Sequence, residues 1–141
     1  MERAEILAYM KSQRYAVVAS ASPTGVPQAA VVGIATTDDF EIVFDTLRTT
    51  RKARNLLTTP AVAFVVGGLL PGDERTVQYE GYATFPIGEE LAHFQAAYFK
   101  VFPSGTCRMS KPGITYVRVK PTWLRFSNFN ITPPLSIELT F

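Results

Sequence analysis

Arg48, Arg51, Lys52 and Arg54 place four of the chain's 14 basic residues within seven positions, with no acid among them. Thr46, Thr49 and Thr50 add hydroxyls to the same stretch. The run Asp45 to Leu56 reads as a strand end, a turn and a helix that begins near Thr50. A helix start carries free backbone N–H donors and a partial positive charge, so it attracts anions. Arg51 and Lys52 fall in the first turn, where cations oppose the dipole by roughly a few tenths of a kcal/mol unless an anion offsets them. A planar guanidinium and a compact ammonium together suit one phosphate group. A solvated basic helix face is the plainer reading of the same charges. Nucleic acid is a rival anion, but four charges on a near-neutral chain leave a poor footprint for it. No glycine-rich phosphate loop of the P-loop or dinucleotide type competes with this site.

The other polar groups offer less. Nucleophilic catalysis of the Ser-His-Asp or Cys-His kind would have to use His93 and Cys107, the sole members of their types. His93 reads as an ordinary helix histidine beside Leu91 and Phe94. Cys107 reads as a loop thiol, although Arg108 next to it would favour the thiolate. Trp123 and Arg125, with Phe126, are better candidates for a substrate side, since an aromatic with a cation suits a planar, anionic molecule. Packing at a barrel end and a solvent-facing strand position are the alternatives for Trp123 and Arg125.

What must hold these residues is bounded by composition. The length of 141 residues corresponds to about one domain, and 47% hydrophobic with 18% charged residues excludes a disordered chain. A net charge of +2 gives no bulk reason to expect nucleic acid or a membrane as partner. One cysteine excludes an internal disulfide framework, and one histidine with one cysteine excludes ordinary zinc clusters. No stretch reaches the ~18 apolar residues of a membrane span. Glu2, Arg3, Glu5 and Lys11 interrupt what a signal peptide would need. The expected setting is therefore reducing and cytoplasmic, with Cys107 a free thiol.

Turn signals recur at short intervals: Pro23-Thr24-Gly25, Thr37-Asp38-Asp39, Pro71-Gly72-Asp73, Pro86, Lys111-Pro112-Gly113 and Pro121. They favour many short strands over a bundle. Helices are expected over Glu2–Ser12, Thr50–Thr58 and Gly88–Phe102. The last carries Leu91, Phe94, Tyr98 and Phe102 on one face, a core-packing stripe. Strands are expected over Tyr15–Ala21, Gln28–Ala35, Glu41–Asp45, Ala61–Val66, Thr76–Thr84, Thr115–Val119 and Trp123–Phe129. Ala61–Val66 is apolar at every position, as in a strand covered on both faces. Six or seven such strands imply a mainly β, antiparallel barrel, because closure removes exposed edges. The tail Thr132–Phe141 is apolar enough to pack on the body or on a second subunit.

In this order the segments resemble the FMN-binding split-barrel superfamily typified by pyridoxamine 5′-phosphate oxidase. The resemblance is carried by Gly25–Val32, Ile42–Thr46, Thr50-Arg51-Lys52, Pro60–Phe64, Arg75–Ala83 and Val117–Pro121, and it spans about Tyr15 to Phe129. It implies a split, Greek-key β-barrel, a homodimer with the flavin between subunits, and FMN as cofactor. Thr50, Arg51 and Lys52 match the family's phosphate-holding residues. Asp45 and Thr46 match the strand-end pair beside phosphate and ring. Ala30, Val31, Val32 and Gly33 match the strand whose backbone follows the isoalloxazine. Thr76 matches a polar position given to the flavin, expected from the other subunit.

The chain also departs from the pattern. The family's arginine is missing at Ala30, and Asp45 stands where an aromatic is usual, so Asp45 is expected to turn away or to pair with Arg48 or Arg51. The Arg-x-His-Asp-Arg type segment that recognises pyridoxal phosphate has no match after Trp123, so the resemblance does not carry the vitamin B6 substrate with it. The implied activity is an FMN-dependent oxidoreduction of an unassigned small molecule, with NAD(P)H as a candidate electron donor. A non-enzymatic flavin- or haem-binding module on the same barrel, or a deazaflavin-dependent reductase, are the alternatives.

Overall fold

The computed structural model describes residues 2–141. It contains eight strands and three helices in the order α1 (Glu2–Ser12), β1 (Tyr15–Ala21), β2 (Pro27–Gly33), β3 (Ala35–Thr36), β4 (Ile42–Leu47), α2 (Arg51–Thr58), β5 (Ala61–Gly67), β6 (Arg75–Thr84), α3 (Gly88–Val101), β7 (Ile114–Asn128) and β8 (Leu135–Thr140), with a 3₁₀ turn at Pro103–Arg108. The strands form one antiparallel sheet ordered β2-β1-β5-β6-β7-β4-β3, and β8 pairs with β7. This is a mainly β, curled split barrel with a few helices.

Closure comes from the chain itself. The sequence reads Gln28–Ala35 as one strand, but the structure breaks it at Ile34. Before the break β2 pairs with β1, and after it β3 pairs with β4 at the opposite end of the sheet. Ile34 is fully buried, and its N–H donates to the Arg14 carbonyl at 2.8 Å. One extended run thus belongs to both ends of the sheet. β2, before Ile34, lies beside β4 and α2, with no ladder between β2 and β4 among the described residues.

The opposite difference occurs at β7. Two expected strands are one, running through Pro121. Register with β6 shifts between Glu80 and Gly81, so Thr122 is the extra residue of a bulge. Proline lacks an N–H and is tolerated where the ladder is already irregular. Gly81 is required at the bend, because a Cβ there would lie 2.3 Å from the Lys120 carbonyl oxygen. The first half of β7 pairs with β4 and the second with β8.

Two packed clusters result. Ile6, Tyr9 and Met10 of α1 enter the barrel core with Val18, Phe44, Phe64, Tyr79 and Leu124. Phe94 and Tyr98 of α3, with Phe102, cover β3 and β4 in a second cluster with Ala35, Val43 and Tyr116, so the aromatic stripe is core packing as expected. β6 alternates as its sequence indicates, with Val77, Tyr79, Gly81 and Ala83 buried and Gln78, Glu80, Tyr82 and Thr84 exposed. β5 does not match its expectation. Val62, Phe64 and Val66 are buried, while Val65 on the other face is 46% exposed. The outer face of β2-β1-β5 is therefore apolar and uncovered within one chain. No described helix is long and apolar enough to cross a membrane.

Candidate functional site

Thr50 caps α2 in the manner its sequence allows. Its backbone is extended, its Oγ1 accepts from the Ala53 N–H at 3.3 Å, and it donates to the Leu47 carbonyl at 2.9 Å. The buried Thr46 hydroxyl lies 3.0 Å from Thr50 Oγ1. Ala53 and Leu56 turn into the core and fix the helix axis. On the neighbouring side, Asn55 donates to the buried Ser20 hydroxyl at 3.1 Å, tying α2 to β1.

The helix start so formed is strongly cationic. Its first turn holds no acid. Arg51 is exposed and Lys52 half-buried, and Arg48 and Arg54 are exposed nearby. The ion pairs of the described residues use Lys11, Arg75, Arg108, Arg118 and Arg125, and none of these four. The N–H groups of Arg51 and Lys52 begin the helix and have no backbone acceptor within it. Two free N–H donors and two unpaired cations on a capped helix start match the oxygens of a phosphate monoester.

β2 borders this turn. Ala30 and Val32 face the core, whereas Val31 points outward and is 63% exposed. As the terminal strand, β2 has one backbone edge outside the ladder, which can offer N–H and C=O groups to a flat ring. Gly33 has a packing reason for its size. A Cβ there would lie 2.7 Å from the Phe102 ring.

Asp45 does not pair with Arg48 or Arg51. Its carboxylate accepts from Arg108 Nε at 3.1 Å and from the Tyr98 hydroxyl at 3.2 Å. Strand alternation explains the difference, since Asp45 shares the α3 side of β4 with Val43, and Thr46 shares the core side with Phe44. Burial first, and the Asp45 charge second, push the Tyr98 hydroxyl up to about 12. The acid therefore anchors α3 and the 3₁₀ turn while its negative charge is taken up away from the cationic helix start.

Thr76, Trp123 and Arg125 lie elsewhere in the chain. Thr76 is on the outer face of β6, three strands from β2 in the sheet order. With Gln78, Glu80 and Trp123 it lines a cavity of about 330 Å³ floored by Val17 and Val65. Trp123 Nε1 and Arg125 Nη2 both donate to Glu138 Oε1 of β8, at 3.0 and 3.3 Å. Arg125 also stacks 5.5 Å from the Trp123 ring. Glu138 is the residue that sequence reasoning missed here. Its register opposite Arg125 depends on the tail folding back as a strand. The tail is thus ordered on the body, and Arg125 is not the free cation expected of it. His93 and Cys107 are both exposed, on α3 and in the 3₁₀ turn.

A family model described as pyridoxamine 5′-phosphate oxidase matches residues 3–128. The chain belongs to that family. No sequence match was found among curated proteins. Among solved structures, the haem-binding protein of Mycobacterium smegmatis aligns at 18% identity with a TM-score of 0.80, covering 99% of this chain and 57% of that one. This chain therefore spans little more than half of that relative. General Stress Protein 26 of Bacillus anthracis aligns at 18% identity with a TM-score of 0.71, over 99% of this chain and 100% of the other. The haem storage protein HutZ of Vibrio cholerae aligns at 15% identity with a TM-score of 0.71, over 84% and 88%. At such identities these likenesses establish the shared fold. Family membership supports flavin as the class of ligand, and the haem proteins show that the fold serves another.

Proposed function

We propose that this protein is a homodimeric FMN-dependent oxidoreductase, with the FMN phosphate on the start of α2. The observation that carries the reading is the capped, acid-free helix start at which Arg51 and Lys52 have no carboxylate partner. In this reading Arg51, Lys52 and their N–H groups bind the phosphate, and Thr50 and Thr46 hold the turn in shape. The free edge of β2 from Ala30 to Gly33 follows the ring. FMN, when bound, supplies the hydride and electron transfer, and the protein contributes position, polarity and access.

The second subunit enters because the site is divided. Thr76, Trp123 and Arg125 stand on the outer face, away from the cationic turn of their own chain. The same face leaves Val31, Val65 and Tyr82 exposed at 63%, 46% and 55%, and an apolar face of this kind marks an association surface. A second copy seated on it supports a complete site, with one protomer giving the phosphate end and its partner the substrate side.

The haem module is the competing reading, favoured by the likeness to two haem proteins. Its simplest axial ligand would be His93, which sits on α3 and not at the cationic turn. The deciding experiment is release and identification of the cofactor from freshly purified protein, together with sedimentation. FMN released from a dimer supports the proposal. A Soret band, or a monomer that binds FMN tightly, overturns it.

A further inference from the structure

A second concavity lies beside α2, on the flank turned from β1. Arg48, Ala53, Leu57, Phe85 and Thr115 line it, and its volume is about 320 Å³. Ala53 and Leu57 are four residues apart and share one face of α2. Arg51 and Asn55 share the nearly opposite face, which the Asn55–Ser20 bond ties to β1, the ladder neighbour of β2. Thr115 stands opposite Thr46 on the first half of β7. Phe85, just past β6, packs against the barrel core. None of the five belongs to the outer face assigned above to a second copy.

The lining is apolar with one charge. Arg48 is its single ionisable residue, and it enters no ion pair of the described residues. The Arg48 N–H donates to the Gly113 carbonyl at 2.8 Å, so the backbone at the mouth is fixed. Leu57, a large apolar residue, is exposed beside it. A concavity of this size with apolar walls and one convergent polar group suits a small ligand. An apolar cation would meet Arg48 directly, and an apolar alcohol would leave the guanidinium without its counter-charge.

We propose that this cavity binds a monocarboxylate with an apolar body, its carboxylate on Arg48 and its hydrocarbon against Leu57, Phe85 and Ala53. The site is separate from the one assigned to Arg51 and Lys52 and needs no flavin.

Three probes with one tail test it: hexanoate, hexanol and hexylammonium, titrated into the ¹⁵N-labelled protein and followed by amide shifts. Hexanoate is expected to bind at least about tenfold more tightly than hexanol, with shifts centred on Arg48, Leu57 and Thr115. Hexylammonium should give no saturating shift there. Arg48→Gln should lower hexanoate affinity about tenfold and bring it level with hexanol, while Arg48→Lys keeps part of the preference. Leu57→Ser, at an exposed wall, should weaken hexanoate and hexanol alike. Arg54→Gln removes a cation of the same cluster outside this lining, and should leave hexanoate binding unchanged. Hexanol binding as tightly as hexanoate, shifts centred elsewhere, no binding of hexanoate, or equal losses in Arg48→Gln and Arg54→Gln overturns the inference. Saturating FMN should leave hexanoate affinity within about threefold. Displacement of hexanoate by FMN overturns the separate site, whereas hexanoate binding without FMN binding overturns the flavin reading alone.

Discussion

The start of α2 and the contact between β4 and α3 both place cations beside the Asp45-Thr46 strand end, and the two handle charge in opposite ways. At the β4–α3 contact, Arg108 meets Asp45, which also accepts from Tyr98, so each charge has a counterpart and the cluster joins two elements. At the helix start, Arg51 and Lys52 face a dipole of the same sign, with no acid in the turn. Arg75, Arg108, Arg118 and Arg125 each meet a carboxylate, as the helix-start cations do not. A cluster without carboxylates costs stability in the free protein and gains only when an anion arrives. The difference separates a pair that holds the fold from the residues that the proposed reading assigns to a ligand.

The largest expected effect breaks that distinction directly. Arg51→Ala with Lys52→Ala should weaken FMN binding at least about 100-fold, or ~3 kcal/mol for two charge-assisted contacts. Urea unfolding of the ligand-free protein should be unchanged, or slightly harder. Arg108→Ala should do the reverse. It leaves the half-buried Asp45 with Tyr98 alone and should cost about 1–3 kcal/mol of unfolding free energy. FMN affinity of the folded fraction should stay within about threefold, a change of under ~1 kcal/mol. Equal losses of affinity in the two variants would erase the contrast.

Gly33→Ala tests whether β2 is shaped by packing or by the ring. The added methyl meets Phe102 at 2.7 Å, so a loss of about 1–3 kcal/mol is expected in thermal or urea unfolding. Affinity lost without stability would move Gly33 to the ligand side. Thr50→Ala removes the cap and should cost about 1 kcal/mol, with a several-fold fall in FMN affinity as the turn loosens.

The smallest effect is pH-dependent and belongs to the paired region. An unfolded tyrosine ionises near pH ~10, whereas folded Tyr98 is pushed up to about 12 by burial and by Asp45. The folded chain holds this proton more tightly, so its contribution is complete below pH ~10 and is lost as pH rises toward about 12. Tyr98→Phe should reduce the slope of stability against pH in that window. An unaltered slope would remove Tyr98 from the account.

Much of this was readable in the chain because it is local. α1, β1 and the start of α2 lie where apolar spacing and the Thr50 cap place them, and β6 alternates as its residues do. What escaped depends on partners far along the sequence. The break at Ile34 exists because two different strands, β1 and β4, compete for one extended run, and no periodicity records that. Pro121 looked like a boundary because the bulge that accommodates it lies partly in β6. The Asp45–Arg108 pair spans 63 residues, and the Glu138 contact requires β8 to exist. The cationic helix start was legible because its residues are consecutive, whereas the outer face had to be assembled by the sheet.

The joint at Ile34 carries one more consequence. Because a single run from Pro27 to Thr36 belongs to both rims of the gap beside α2, the jaw between β2 and β4 has a fixed pivot. Its side chain is wholly enclosed, so the aperture behaves as a preset caliper. New termini cut between Gly33 and Ile34 would release both rims together, unrolling the cylinder into an apron with two bare edges.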